Sequence, residues 1–202
     1  MKQKIGLMGG TFDPIHVGHL LTAEAVREQF GLARVIFIPA AQPPHKQGRQ
    51  VAPAYARLIM TEMAVAGNPS FAVSRIELQR SGPSYSVDTL RELQAAHGRE
   101  AEYYFITGAD AINELYSWHE AETLLESCHF IAATRQGCAL DLLRLEGEMG
   151  EALVRSHVHE LPTPELEISS TDIRRRVQEG RSIKYLVTAE VEAYIYKEGL
   201  YR

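Results

Sequence analysis

Residues 4–30 read KIGLMGGTFDPIHVGHLLTAEAVREQF, and this stretch decides the fold around the amino terminus. Its first part, residues 4–8, is a short apolar run flanked by glycines, which predicts a buried strand. Its last part places apolar side chains from Leu20 to Phe30 at helical spacing. The segment between them, GGTFDPIHVGH, therefore lies on a strand-to-helix turn. Backbone N–H groups and the positive end of a helix dipole favour an anion there, so we predict a phosphate site.

Apolar runs and amphipathic stretches alternate along the rest of the chain. The runs are residues 35–38, 71–73, 103–106 and 129–132, and the amphipathic stretches lie near 53–66, 86–97, 119–127 and 139–149. This alternation predicts parallel strands joined by right-handed helical crossovers, hence a Rossmann-like, doubly wound α/β sheet with helices on both faces. An apolar face over residues 188–197 predicts a C-terminal helical segment. The length fits a single domain over residues 1–202.

Charge and composition exclude several classes of protein. Lys and Arg number 21 against 26 Asp and Glu, a formal charge of −5, which argues against extended nucleic-acid binding because that needs a basic surface. No apolar run approaches the roughly 18 residues of a membrane helix, and glycines break the amino-terminal run, unlike a signal peptide. Cys128 and Cys138 are too few for a disulfide framework, so free buried thiols are expected. We expect a cytoplasmic protein without a nucleic-acid or membrane partner.

A second anion-binding element is predicted from residues 168–176, which read ISSTDIRRR. Taken alone, Ser169, Ser170 and Thr171 are best explained as a capping cluster at a helix start. Arg174 changes that balance, because it lies one turn into the helix, where its planar fork can reach a phosphate. Arg175 and Arg176 point in other directions and are expected to be solvated surface charges. Two anion-binding helix starts together suggest a polyphosphate ligand.

The chain resembles the nucleotidyltransferases that carry a His-x-Gly-His motif near the N-terminus and an Ile-Ser-Ser-Thr-x-Ile-Arg motif near the C-terminus. Further segments are similar to those of bacterial nicotinate-nucleotide adenylyltransferases. They are GGTFDP (9–14), PPHK (43–46), SYSVDTL (84–90), GAD (108–110) and GLY (199–201). The resemblance covers residues 9–201 and implies one nucleotidyltransferase domain that transfers the AMP moiety of ATP to nicotinate mononucleotide. The implied products are nicotinate adenine dinucleotide and pyrophosphate, in a step of NAD biosynthesis.

Positioning and charge stabilisation dominate such a reaction, because a phosphate acceptor is already anionic at neutral pH. His16 and His19 lie on one face of a helical turn, from which both can aim N–H groups at the triphosphate. They can also be a satisfied pair near a turn or a metal pair, but no third ligand stands at a telling spacing, so no protein metal ligand is predicted. The resemblance implies Mg²⁺ held mainly by the ATP phosphates and water. The expected catalytic residues are His16, His19, Arg174 and Lys46, and those expected at ATP are Gly10, Thr11, Phe12, Ser170, Thr171 and Arg174.

A different set is expected at nicotinate mononucleotide. The resemblance assigns the Ser86 hydroxyl and the Trp118 ring to the nicotinate group, although an ordinary buried tryptophan is an equal alternative. Asp110 follows Gly108 at a strand end, where it can accept hydrogen bonds from ribose hydroxyls, cap the next helix, or do both. Lys46 completes the set as a cation for the phosphates.

Lys46 lies in a polar segment, residues 42–50, whose prolines and glycine predict a loop that could close over substrate. Two positions depart from the family pattern. Gln136 stands where many relatives have proline, which affects a turn, and His119 stands where tyrosine is common, which affects the expected nicotinate pocket.

Other functions stay open on the sequence alone. A phosphopantetheine adenylyltransferase shares both end motifs but is usually shorter, and an adenylyltransferase for nicotinamide mononucleotide differs only in its acceptor. A nucleotide-sensing module would bind through the same helix starts without turnover. A homo-oligomer is compatible with the sequence.

Overall fold

The computed structural model describes residues 2–43, 51–97, 101–134, 139–162 and 167–202. Strands and helices alternate along the chain, and every strand and helix predicted above is found in its segment. The elements up to residue 97 are β1 (Gln3–Gly10), α1 (Val17–Phe30), β2 (Arg34–Pro39), α2 (Ala54–Val65), β3 (Phe71–Val73), α3 (Ile76–Gln79) and α4 (Ser86–His97). They are followed by β4 (Ala101–Gly108), α5 (Ala109–Ile112), a 3₁₀ turn (Leu115–Ser117), α6 (Ala121–Ser127), β5 (His129–Thr134), α7 (Leu142–Met149), α8 (Glu151–His157), β6 (Val158–Pro162), α9 (Ser170–Gln178) and α10 (Ala189–Lys197).

The sequence-based prediction did not include the short elements α3 and the 3₁₀ turn, nor α8 and β6. The strand β6 reads VHELP, and of its five residues only Val158 is buried, whereas Glu160 and Pro162 are exposed. A strand with this burial carries no apolar run, so hydrophobic periodicity gives little signal for it. The helix α8 is only seven residues long and buries Val154 alone.

The strands of the described residues form a six-stranded sheet with the order β3-β2-β1-β4-β5-β6. From β1 through β4 and β5 to β6 the pairing is parallel, with Ile5 opposite Tyr103 and Phe105 opposite Phe130. The order 3-2-1-4-5-6 is that of the doubly wound Rossmann-like sheet. The predicted α/β fold class is therefore confirmed.

The chain divides into two compact units, and their ranges interleave along the sequence. Unit 1 comprises Met1–Gly9, Thr22–Val35 and Tyr85–Glu165, and unit 2 comprises Gly10–Leu21, Ile36–Ser84 and Leu166–Arg202. Buried apolar side chains of unit 1 include Ile5, Leu7, Val26, Tyr103, Phe130 and Ile131. Those of unit 2 include Ile15, Phe37, Leu58, Met60, Ile173 and Ile195. Each unit thus has apolar residues of its own at the centre, and the single domain over 1–202 stays a prediction.

Three histidines gather in unit 1 where β5 and β6 begin. The Nε2 atom of His129 lies 3.2 Å from a carboxylate oxygen of Glu102, and its Nδ1 atom lies 3.2 Å from Nε2 of His159. The ring of His129 also stacks on Tyr104 and on His157, with ring centroids 4.7 and 5.0 Å apart. Burial lowers the pKa of both His129 and His159, against the opposing charge of Glu102.

Within the described residues no helix is long and apolar enough to cross a membrane, and α1, for example, has 14 residues. Cys128 is a free, buried cysteine, as expected, and Cys138 lies outside the described residues. Burial raises the pKa of the Cys128 thiol, which makes it a poor nucleophile.

Candidate active site

The loop between β1 and α1 folds back on itself through Phe12. This residue has a φ of +48°, and its side chain is only 3% exposed. A Cβ atom added at Gly10 would come within 2.9 Å of the Phe12 ring, so the glycine makes room for the fold-back. The same ring packs against His19 and Phe37, with ring centroids 5.1 and 6.0 Å apart. The loop that was predicted to bind phosphate is therefore packed into the core of unit 2.

The two histidines of the first motif contact each other at the start of α1. The backbone N–H of His16 donates to Nδ1 of His19 at 3.2 Å, and the ring centroids lie 3.8 Å apart. Because Nδ1 of His19 accepts, the neutral imidazole carries its proton on Nε2, which is then a donor. A Cβ atom at Gly18 would lie 3.0 Å from the His16 ring, which explains the glycine between the histidines.

The second motif forms the first turn of α9. The Ser169 hydroxyl accepts from the backbone N–H of Asp172 at 3.1 Å and is the N-cap. The Ser170 hydroxyl donates instead to the carbonyl of Pro14 at 2.9 Å. The Thr171 hydroxyl accepts from Nη2 of Arg174 at 3.2 Å. The expected capping is therefore confirmed for Ser169 and wrong for Ser170 and Thr171, because their hydroxyls bind Pro14 and Arg174 instead.

Arg174 joins the two motifs. Its Nη1 atom donates to the backbone carbonyl of Asp13 at 2.7 Å and lies 3.6 Å from the Asp13 carboxylate. The side chain is 27% exposed, so part of the guanidinium still faces solvent. With the Ser170–Pro14 hydrogen bond, this contact ties the start of α9 to the loop before His16. The two motifs, which the sequence analysis assigned to one ligand, thus contact each other within unit 2.

The neighbouring arginines both pair with Asp172. Arg175 hydrogen-bonds one carboxylate oxygen, and Nε of Arg176 donates to the other at 2.6 Å. The hydrogen bond from Arg176 is the main reason why the pKa of Asp172 is lowered. Arg175 is 61% exposed, as expected for a solvated charge, but Arg176 is only 31% exposed. The expectation was wrong for Arg176, because residues four apart on a helix face each other.

Arg57 is a site residue that the sequence analysis missed. Its side chain belongs to α2, is only 2% exposed, and donates to three backbone carbonyls. The acceptors are Thr11 at 2.6 Å, Ala52 at 3.0 Å and Ala41 at 3.4 Å. Burial lowers the pKa of Arg57, while the charge of Asp13 opposes this shift. The sequence signal is weak, an arginine within the mainly apolar stretch of α2, because an arginine that binds backbone carbonyls belongs to no sequence motif.

Asp13 is the acceptor at the centre of this network. It is 3% exposed, and its Oδ1 atom accepts from the backbone N–H of Ala52 at 3.2 Å and from the hydroxyl of Tyr201 at 2.8 Å. Burial and the Asp13 carboxylate raise the pKa of Tyr201, which stays protonated and donates. Both residues belong to segments that resemble the family, GGTFDP and GLY, but the sequence alone indicates no role for either.

The residues expected at the nicotinate group belong to unit 1. Ser86 is the first residue of α4, where hydroxyl and backbone N–H groups suit an anion. Trp118 follows the 3₁₀ turn and is half-buried, with its ring edge-to-face against Phe130 at 6.0 Å. Its backbone N–H donates to Leu115. Trp118 is therefore partly packed and partly accessible, between the two alternatives that the sequence left open.

Gly108 and Asp110 lie at the end of β4 and the start of α5. Gly108, not Asp110, is the N-cap residue, and Asp110 is an exposed residue of the first turn. The capping alternative for Asp110 was therefore wrong, because the helix begins one residue earlier than that role requires. A Cβ atom at Gly108 would collide with the Asp110 carboxylate, so the carboxylate lies over the glycine.

His119, the departure from the family pattern, stacks on Tyr85. The ring centroids are 4.3 Å apart with an interplanar angle of 28°. Tyr85 directly precedes Ser86, so the histidine keeps an aromatic contact beside the expected nicotinate residue. Its neighbour Glu120 has a φ of +50° and is held by Arg91 at 3.1 and 2.5 Å.

Some expected residues cannot be placed. Lys46, most of the loop 42–50 and Gln136 lie outside the described residues. In the described part, no group of three or more His, Cys, Asp or Glu side chains could hold a metal ion. The buried carboxylate nearest the first motif, Asp13, is occupied by the donors described above.

Comparison with known proteins gives this arrangement a family. The family model of cytidylyltransferase-like proteins matches residues 7–176. A probable nicotinate-nucleotide adenylyltransferase of Moorella thermoacetica is 52% identical over 201 residues, which cover 98% of this chain and 92% of that protein. A probable nicotinate-nucleotide adenylyltransferase of Thermus thermophilus is 50% identical over 199 residues, which cover 98% of this chain and 100% of that protein.

Solved structures agree on the fold. Plasmodium falciparum nicotinic acid mononucleotide adenylyltransferase complexed with NaAD has a TM-score of 0.79 and 20% identity, covering 98% of this chain and 97% of that chain. At this identity the likeness shows the fold alone, whereas the sequence relatives are about half identical over nearly full length. The chain therefore belongs to the bacterial nicotinate-nucleotide adenylyltransferases, within the cytidylyltransferase-like family.

Proposed function

We propose that this protein transfers the AMP moiety of ATP to nicotinate mononucleotide and releases pyrophosphate. The observation that carries the proposal is the junction of Arg174 with Asp13, which brings the start of α9 to the loop that ends in His16. The N-termini of α1 and α9, together with the guanidinium of Arg174, offer N–H donors and positive charge to a polyphosphate. Membership of the family is the reason for proposing nicotinate mononucleotide as the acceptor. A cytoplasmic location belongs to the same proposal, since the proposed donor is ATP.

The proposed step needs no proton transfer. An oxygen of the acceptor's 5′-phosphate bonds to the α-phosphorus of ATP, and the bond from that phosphorus to the bridging oxygen of the β-phosphate breaks. Pyrophosphate leaves with the electron pair. Because negative charge develops on the transferring and leaving groups, fixed donors aimed at them lower the barrier. His16, His19, Arg174 and Lys46 are the proposed catalytic residues, with the Nε2–H of His19 as a preformed donor.

The triphosphate is proposed to bind along Gly10, Thr11 and Phe12 and at the start of α9. Ser170 already donates its hydroxyl proton to Pro14, so only acceptor capacity is left on that oxygen. Its contribution to an anion is therefore the backbone N–H. Thr171 accepts from Arg174 and keeps its own hydroxyl proton for a phosphate oxygen.

The acceptor is proposed to contact Ser86, Trp118, Asp110, Gly108 and Lys46. Ser86 would donate its hydroxyl to the nicotinate carboxylate at the start of α4, where the helix dipole also favours an anion. Trp118 would contact the pyridine ring, for which its half-buried ring leaves an accessible part. Asp110 is exposed and offers a carboxylate to ribose hydroxyls.

We propose that Mg²⁺ binds together with ATP and is not held by ligands of the protein. Asp13 is a poor ligand because Ala52, Tyr201 and Arg174 already occupy its oxygens. ATP phosphates and water fit the octahedral preference of Mg²⁺ without a protein cage. When bound, the ion neutralises charge on the triphosphate.

A panel of acceptors tests the proposed function. The protein is incubated with ATP, Mg²⁺ and one of nicotinate mononucleotide, nicotinamide mononucleotide or phosphopantetheine, and pyrophosphate release is followed. We expect release to be fastest with nicotinate mononucleotide. Faster release with either other acceptor would reassign the substrate, and ATP binding without release in all three would indicate a nucleotide-sensing module.

A further inference from the structure

The end of α10 turns the chain toward the first loop. The N–H of Leu200 donates to the carbonyl of Ile195 at 3.0 Å, and the N–H of Gly199 donates to that of Tyr196 at 3.4 Å. Together with the φ of +62° at Gly199, these bonds form a Schellman motif, which glycine favours at this position. The turn delivers the hydroxyl of Tyr201 to Oδ1 of Asp13, 188 residues earlier in the chain.

Asp13 faces different partners with its different oxygens. Oδ1 accepts from Tyr201 and from the backbone of Ala52, whereas Oδ2 lies 3.6 Å from Nη1 of Arg174. The backbone oxygen of Asp13 accepts from the same Nη1 at 2.7 Å. The orientation of the Asp13 carboxylate therefore decides how closely it pairs with Arg174.

Room exists beside this network for other arrangements. A cavity of about 410 Å³ adjoins it, and its lining includes Ala52, Arg174 and Tyr201. Arginine side chains have several rotatable bonds, so an arginine beside open space stays in one orientation only if hydrogen bonds hold it there. The hydrogen bonds of Arg174 to Asp13 and Thr171 keep its side chain in this orientation.

We propose that Tyr201 is a positioning residue for adenylyl transfer: its hydroxyl fixes the Asp13 carboxylate, and Asp13 in turn fixes Arg174 for the phosphates of ATP. This inference rests on the proposed function. Without the hydroxyl, the amide N–H of Ala52 is the one donor to Oδ1 of this buried carboxylate that remains among the described residues. The carboxylate then turns toward Arg174, pairs with it more closely, and competes with the phosphates for the guanidinium.

The test compares Tyr201→Phe with the matched control Tyr196→Phe, whose side chain is 37% exposed in the same helix end. Phenylalanine keeps the ring and its packing and removes only the hydroxyl. We expect Tyr201→Phe to raise both the KM and the calorimetric Kd for ATP about tenfold, because a hydrogen bond to a charged group is lost. The KM for the acceptor should change less than about twofold, as should all constants of Tyr196→Phe.

A double-mutant cycle separates positioning from general stabilisation. In the background Arg174→Ala, Tyr201→Phe should change the Kd for ATP by less than about twofold, because the group through which it acts is gone. An undiminished tenfold effect in that background, or no effect of Tyr201→Phe on ATP binding in the wild-type background, overturns the proposal.

A second variant covers the case in which Tyr201→Phe fails to fold. Asp13→Asn keeps an oxygen for Tyr201 and Ala52 and places an amide NH₂ toward Arg174, so it should also weaken ATP binding, and again only when Arg174 is present. Equal effects of Asp13→Asn with and without Arg174 count against the proposal. Failure of the proposed function is a separate result, because it would appear as absent pyrophosphate release by the wild type while the binding cycle can still be measured.

Discussion

The backbone N–H of His16 donates to Nδ1 of His19 at 3.2 Å, so one histidine of the motif fixes the orientation of the other's ring. Because Nδ1 of His19 accepts this bond, the proton of the neutral ring is on Nε2, and that N–H is the donor. Gly18 stands between them because a larger residue would press on the His16 ring. The motif is thus a small preorganised unit, in which both histidines and the glycine have a physical reason.

Removing the His19 donor should slow turnover without unfolding the protein. We expect His19→Ala and His16→Ala each to lower kcat on the order of 10²-fold, the effect of losing one charge-stabilising donor. His19→Gln should retain more activity than His19→Asn, because only the longer amide places an N–H near the Nε2 position. Pyrophosphate release gives kcat, and thermal melting shows that the fold is kept. Near-wild-type turnover of both alanine variants would remove these residues from the site.

Replacing Arg174 by lysine should weaken ATP binding, although the charge is kept. The guanidinium uses Nη1 for Asp13 and Nη2 for Thr171 and still faces solvent with part of its fork. A single ammonium group cannot reproduce this geometry. We expect the KM for ATP to rise about tenfold, as for other lost charge-assisted hydrogen bonds. The measurement is a titration of ATP at saturating acceptor.

Arg176→Lys is the matched control for that experiment. Arg176 pairs with Asp172 on the same helix but makes none of the contacts to the first loop that Arg174 makes. The KM for ATP should therefore stay unchanged, with at most a small fall in the melting temperature. Equal effects at the two positions would contradict the separate roles assigned to them.

Acid and amide acceptors should be strongly discriminated. Hydrogen-bond donors in the pocket that suit the carboxylate of nicotinate would face the NH₂ group of nicotinamide, which is also a donor. The amide therefore leaves these groups unpaired and binds less well. We expect kcat/KM for nicotinate mononucleotide to exceed that for the amide by at least about 10²-fold, and Ser86→Ala to narrow the ratio. Trp118→Ala should weaken the binding of both acceptors alike, because stacking depends on the pyridine ring and not on its substituent. Similar use of both acceptors by the wild type would refute acid specificity and leave adenylyl transfer intact.

Stability should fall in mild acid through the histidine cluster of unit 1. The pKa values of His129 and His159 lie below the ordinary 6.5 in the folded protein, so between these values the unfolded chain binds more protons. Stability is thus fully present above about pH 6.5 and is lost as pH falls through the folded values. Tyr104, His157, Glu102 and Lys4 surround the pair, and of these Glu102 opposes the shift.

Thermal melts from about pH 7.5 to 5.5 measure this dependence. His159→Gln keeps a side-chain N–H but does not titrate, so its melting temperature should fall less steeply with acid than that of the wild type. His119→Gln is the control, because His119 is 49% exposed and its ring stacks on Tyr85, outside the cluster. An unchanged slope in His159→Gln would show that the cluster does not carry the acid sensitivity.

The sequence predicts those parts of the site that local chemistry determines. The turn after β1, the capped start of α9 and Arg174 follow from glycine, hydroxyl and charge patterns within about one helical turn. Arg57 and Tyr201 could not be assigned in this way, because their partners lie 46 and 188 residues away and include backbone carbonyls. The edge strand β6 was missed for a related reason, since an edge strand needs no continuous apolar run.

The two edges of the sheet are poor templates for adding another strand. One edge, β3, has only three residues, and the other, β6, carries the polar residues His159 and Glu160 and ends at Pro162, which has no N–H group. Short strands, charges and proline are the devices by which proteins keep sheet edges from joining. Copies of this chain are therefore not expected to aggregate or assemble by extending the sheet, and any assembly would have to use other surfaces.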